Sequence, residues 1–132
     1  MDEQKKALKP PEKDGQSLEL GKQSPNRSGW PDAEIPFMAS FEAAMLTGAK
    51  TATSRNKIYG HPGQKFEAFG GRFQITGLFR LTQEMVRDQH YREEGFTSPE
   101  AFEACWRKLH PRSGFKPEAR VWMHTFKREA RP

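Results

Sequence analysis

"GAKTATSR", residues Gly48–Arg55, sets a lysine, two threonines and an arginine in one short stretch directly after an apolar segment. The cluster is too polar for a core and too compact for an ordinary solvated loop. In the preceding "FMASFEAAMLTGAK", Phe37, Phe41, Ala44 and Met45 recur at helical spacing. Ser40 reads as the N-cap, and Gly48 stands where a helix C-terminus prefers glycine. The lysine is thus predicted just past a helix end.

Downstream, "KFEAFGGRFQITGLFRL" alternates Phe66, Ala68, Phe73 and Ile75 with polar residues around Gly70-Gly71, which predicts a β-hairpin. "TQEMVRDQHYREEG" predicts a second helix from near Thr82 to Gly95. "SPEAFEACWRKLHP" predicts a third, capped by Ser98, with Pro99 at its first position, Phe102, Trp106 and Leu109 as the buried stripe, and Pro111 as the stop. The closing "RVWMHTFKR" alternates Trp122, His124 and Phe126 against Val121, Met123 and Thr125, as a strand does. His124 is expected in the wall of the sheet, and Trp106, Trp122 and Phe126 in the core. Strands and short helices without a βαβ rhythm indicate an α+β domain on a small curved sheet or barrel.

The chain has 132 residues, one ordinary domain in length, and only 34% of them are apolar. Residues 1–35 are rich in Pro, Gly, Ser and mixed charge, a composition that cannot offset its own ordering entropy. The expected organisation is a disordered tail over 1–35, a folded domain over 36–127 and a C-terminal tail over 128–132. Six Lys and Arg against seven Asp and Glu leave the first 35 residues at −1, so the rest carries +6 of a chain total of +5. A basic domain is drawn to polyanions, nucleic acid commonest among them. The single Cys105 permits no internal disulfide and is expected as a buried thiol in a reducing compartment. No run approaches the roughly 20 apolar residues of a membrane span, and the N-terminus lacks the apolar centre of a signal peptide. The expectation is a soluble, cytoplasmic monomer that engages no membrane.

Two motifs carry a resemblance. Gly48, Lys50, Thr53 and Arg55 fit G-x-K-x-x-T-x-R, and Glu94, Gly95, Phe96, Ser98 and Phe102 fit an "EGF-S-x-x-x-F" segment. In that order, with a helix between barrel strands, they resemble the ASCH family, a branch of the PUA-like β-barrels, over about residues 36–127. The resemblance implies a PUA-like small curved β-barrel with short flanking helices. Gln64 departs from the pattern, since many relatives carry an aspartate there. The small bacterial members similar to N4-acetylcytidine amidohydrolase remove an acyl group from the exocyclic nitrogen of a modified cytidine. Their catalytic residues carry over to Lys50, Thr53 and Glu94, the last four residues after His90. Glu93 is adjacent, and a one-residue slip would exchange the two glutamates.

Amide hydrolysis needs a nucleophile, an acceptor for its proton and an acid for the leaving nitrogen. Thr53, Lys50 and Glu94 would fill these roles. The lysine must then lose its proton far below the usual value near 10.4, through desolvation and the field of Arg55, and Glu94 must shift toward neutrality. A buried Lys50–Glu94 ion pair would instead hold both groups charged. The alternative function is an RNA-binding module or an RNA-cleaving enzyme in which Lys50, Arg55, Lys57 and Arg72 hold phosphates. The ligand is accordingly a modified nucleoside or single-stranded RNA, with Arg55, Lys57, Arg72 and His90 as binding residues. His90 and His124 belong to no cluster of metal-ligand spacing, so no metal and no cofactor are expected.

Overall fold

The computed structural model describes residues 29–130. A 3-10 turn over Ala39–Phe41 leads into α1 (Glu42–Thr47), followed by β1 (Ala52–Arg55), β2 (Lys65–Ala68) and β3 (Gly71–Thr82). Next come α2 (Gln83–Gln89), α3 (Pro99–Leu109) and β4 (Arg120–Arg128). The strands form one curled antiparallel sheet in the order β1-β4-β3-β2, with the short helices beside it, so the α+β expectation is met.

The expected hairpin is present, with its turn one residue earlier than the sequence reading placed it. Ala68 pairs with Gly71, so Phe69 and Gly70 make the turn, at φ 54° and 78°. Positive φ at both turn residues matches the twist of the flanking strands. Pairing of β3 with β4 shifts by one residue between Ile75 and Gly77, where an added Cβ would lie 2.6 Å from the Phe79 ring. The close approach explains why the bulge carries glycine.

Helix ends follow local chemistry. Thr82 and Ser98 cap α2 and α3 by accepting from the amides of Met85 and Ala101 at 3.1 Å each. Gly48 ends α1 at φ 89°. Ser40 is no cap: it lies inside the 3-10 turn, and neither that turn nor α1 has a side-chain cap. The second helix stops at Gln89, and residues 91–95 turn instead of continuing to Gly95. Leu109, expected in the buried stripe of α3, is 48% exposed, because it ends the helix at the mouth of a cleft. Trp122 is half-buried under the Arg80 guanidinium, 4.6 Å from its ring centroid, and belongs to neither core cluster.

One core cluster joins Met45, Phe66, Phe73, Ile75 and Phe126 with Ala33 and Ile35, and the other joins Val86, Phe102, Trp106, Phe115 and Val121. Packing thus begins ahead of Ile35. Ala33 donates its amide to Lys65, and Asp32 pairs with Arg72. Strand β4 likewise runs through Arg128, into the expected C-terminal tail. The tail expected over 1–35 falls mostly outside the described residues.

Phe66 is fully buried, stacked on Phe73 at 5.3 Å and edge-on to Phe126 at 5.4 Å. Phe66→Ala should cost about 3–5 kcal/mol in urea unfolding. A cost under about 1 kcal/mol would show that this cluster does not hold the sheet.

Candidate active site

The site is built where two turns meet. After α1 the chain leaves the helix at Gly48 and runs into β1. There the amides of Thr51 and Ala52 both donate to the carbonyl of Glu93, at 2.7 and 2.9 Å. This bifurcated contact pins the start of β1 to the turn after α2. Gly95 closes that turn at φ 100°, and a Cβ there would sit 3.0 Å from Lys50 Cβ, so glycine lets the backbone lie on the lysine stem.

Lys50 is 2% exposed, and its Nζ donates to the backbone carbonyls of Ala52 at 2.8 Å and Glu94 at 2.7 Å. It lies 4.4 Å from the Phe41 ring centroid and 3.7 Å from Glu94 Oε1, too far for a hydrogen bond to that oxygen. A neutral amine has two N–H groups and one lone pair. In that form the two carbonyls would satisfy both N–H groups and leave the lone pair to accept a proton. Burial pushes Lys50 below the ordinary 10.5, Glu94 opposes that shift and Arg55 adds to it.

Glu94 is 3% exposed and accepts from Ser54 Oγ at 2.6 Å through Oε2. Burial raises its carboxyl above the ordinary 4.5, against the opposing field of Lys50, the Ser54 hydroxyl, the field of Arg55 and the Ser54 backbone amide. Burial therefore drives both members of the pair toward their uncharged forms, while their 3.7 Å separation leaves each in a field that favours its charged form. Glu93 points elsewhere. Its side chain is 48% exposed and lies 3.8 Å from His90. Only Glu94 of the two lines the cleft.

Thr53 is buried in β1, and its hydroxyl oxygen accepts from Arg55 Nε at 3.0 Å. Residues two apart on a strand share a face, which puts the guanidinium beside the hydroxyl. Arg55 is held in turn by the Pro36 carbonyl at 2.6 Å, with the Phe37 and Tyr59 rings at 5.1 and 5.2 Å. Opposite Thr53 in the sheet, His124 is fully buried. Its Nε2 accepts from the Tyr59 amide at 3.0 Å, so Nδ1 carries the proton, facing the carbonyls of Trp122 at 3.1 Å and Thr53 at 3.3 Å. Burial lowers His124 to about 4, and the ring is neutral near pH 7.

Apart from His124, these groups lie along a cleft of about 650 Å³, the size of a small-ligand site. Lys50, Thr53, Arg55, Lys57 and Glu94 all line it, beneath rings that include Phe41, Phe96 and Trp106. Two sequence candidates stand apart. Arg72 lies on β3 among Asp32, Glu67 and Glu129, and His90 caps the end of α2 beside Glu93. Cys105 is half-buried on the cleft wall rather than in the core, and burial raises its thiol. Ser54 was missed by the sequence reading: its contact with Glu94 spans 40 residues, and nothing local signals it. Among the described residues no group of three or more His, Cys, Asp or Glu is placed to hold a metal ion, and no helix is long and apolar enough to cross a membrane.

No protein-family model matches the chain. No curated protein sequence matches it either. Solved structures do. An ASCH domain from Lactobacillus crispatus JV V101 superposes with a TM-score of 0.59 at 13% identity, covering 74% of this chain and 77% of that one. Protein EF3133 from Enterococcus faecalis V583, which carries the family label DUF984, gives 0.53 at 16% identity over 68% and 67%. Hypothetical protein PH0355 gives 0.54 at 15% identity over 70% and 94%. At these identities the likeness is one of fold.

The buried neutral His124 carries a sign for stability against pH. Its folded value of about 4 lies below the ordinary 6.5, so the unfolded chain binds the proton first as pH falls. The His124 contribution is complete above 6.5 and is lost progressively down to about 4, a change of about 3 kcal/mol in unfolding free energy. Urea unfolding from pH 7 to 4.5 should show this fall, and His124→Gln should flatten the slope. An unchanged slope in the variant would contradict the buried neutral imidazole.

Proposed function

On the fold shared with an ASCH domain, we propose that this protein is an amidohydrolase acting on an acylated nucleoside such as N4-acetylcytidine. The observation that carries the reading is the Lys50–Glu94 pair, an amine and a carboxyl buried 3.7 Å apart and both driven toward their neutral forms. An amine with a free lone pair is a base near neutral pH, and an un-ionised carboxyl is an acid.

Thr53 Oγ attacks the acyl carbon, and its proton passes to the Lys50 lone pair. Arg55, donating to the hydroxyl oxygen, stabilises the alkoxide as it forms. When the C–N bond breaks, Glu94 gives its proton to the exocyclic nitrogen. The enzyme then holds an acyl ester on Thr53, a Lys50 ammonium and a Glu94 carboxylate. Water attacks the ester and yields its proton to Glu94, and Lys50 returns its own to the departing Thr53 oxygen. Both groups end as they began. The aromatic cleft wall suits a planar base, and Lys57 at the rim suits a polar or anionic substituent on it.

The alternative, a module that holds or cleaves single-stranded RNA, draws less support. Arg72 is engaged with carboxylates outside the cleft, and His90 is beside Glu93. RNA affinity that falls steeply with salt, from protein that releases no acyl group, would favour it.

Incubation with N4-acetylcytidine, followed by chromatography, tests the proposal. Folded protein should release cytidine, and Lys50→Ala should lower kcat/KM at least about 100-fold. Full activity in the variant, or no release by the folded wild type, would overturn it. The pH profile of kcat/KM should be bell-shaped. The active form of the pair carries one proton, on Glu94, so rate is lost on the acid side where the pair binds a second proton and on the alkaline side where it loses both. Glu94→Gln should remove the alkaline limb, and a limb that persists would deny Glu94 the acid role.

A further inference from the structure

Ser54 is buried in β1, and its hydroxyl has one hydrogen-bond partner, Glu94 Oε2 at 2.6 Å, shorter than an ordinary hydroxyl contact. The two carboxyl oxygens therefore stand in different surroundings. Oε2 is engaged by a donor, whereas Oε1 faces Lys50 Nζ at 3.7 Å without a hydrogen bond. A carboxyl oxygen that accepts a strong hydrogen bond is the poorer place for the acid proton.

We propose that Ser54 is a positioning residue for Glu94: by donating to Oε2 it fixes the carboxyl rotamer and leaves Oε1, on the Lys50 side, to carry the proton that is transferred. The inference rests on the amidohydrolase reading for its catalytic consequence, and on the hydrogen bond alone for its structural part. Glu94 must both hold a proton and lose it within one turnover. Burial by itself favours the held state, and a donor to the charged form restores part of the balance. The charged and titratable groups around the carboxyl are Lys50 from the turn after α1, Arg55 from β1 and Cys105 from α3. The two cations favour ionisation, a Cys105 thiolate would oppose it, and none of them fixes which oxygen is protonated.

The sign of the effect follows directly. Removing a donor to the carboxylate disfavours ionisation, so Ser54→Ala should raise the Glu94 titration by about one pH unit and carry the alkaline limb of kcat/KM upward with it. Ser54→Thr keeps the hydroxyl and should restore both. The titration is read by carbon-13 NMR of the Glu94 carboxyl, which needs no turnover, and the alkaline limb by deacetylation of N4-acetylcytidine. An upward shift in Ser54→Ala with recovery in Ser54→Thr supports the proposal. An unmoved Glu94 titration in folded Ser54→Ala overturns it, whether or not the protein deacetylates. Absence of acyl release from the wild type, with the NMR shift present, would overturn the amidohydrolase reading and leave the Ser54–Glu94 contact standing.

Discussion

The turn after α1 is stitched to the turn after α2 by three short hydrogen bonds: Thr51 and Ala52 amides to the Glu93 carbonyl, and Lys50 Nζ to the Glu94 carbonyl. Much of the site depends on this seam. It crosses more than 40 residues of chain, it sets the entry into β1, and it buries a lysine that would be costly to bury without partners. Among the described residues no side-chain nitrogen or oxygen wholly shielded from solvent lacks a partner, and the Lys50 Nζ has two. The two backbone carbonyls hold Nζ in place and, as acceptors, favour the ammonium, while burial acts the other way.

His124 does related work from the sheet side. It is neutral, it joins the Tyr59 amide to the Thr53 and Trp122 carbonyls, and it lies opposite Thr53. The strand that carries Thr53, Ser54 and Arg55 is thus fixed along its length, by the seam at one end and by the imidazole in the middle. Rigid strands hold reacting groups more precisely than loops do. The wall formed by residues 36–38 is tied in by the Pro36 carbonyl on Arg55, so the same guanidinium organises both the hydroxyl and the cleft edge.

Much of this was legible in the sequence because it is local. Alternation around Gly70 marked the hairpin, Ser98-Pro99 marked the start of α3, and Gly48 marked the end of α1. What failed was also local, but decided by competition. The helical pattern of "TQEMVRDQHYREEG" gave way after Gln89, where the carbonyl of Glu93 is needed by Thr51 and Ala52 and the chain must turn. Glu94 is therefore not at a helix C-terminus, and the helix-dipole cost of a carboxylate there does not arise. Arg72 reads as a free cation on a strand until Asp32, from a segment expected to be a tail, is seen beside it. The choice between Glu93 and Glu94 and the role open to Ser54 depend on contacts about 40 residues apart, which no spacing rule reaches.

The acid–base chemistry proposed for the cleft depends on the state of the buried amine. Site-resolved nitrogen-15 NMR of the Lys50 side chain across pH reads it without substrate. Lys50 should lose its proton at a pH below the ordinary 10.5, because burial outweighs the field of Glu94. A lysine that stays protonated to 10.5 or beyond would mean that the ion pair dominates, and that the cleft holds a fixed cation in place of a base.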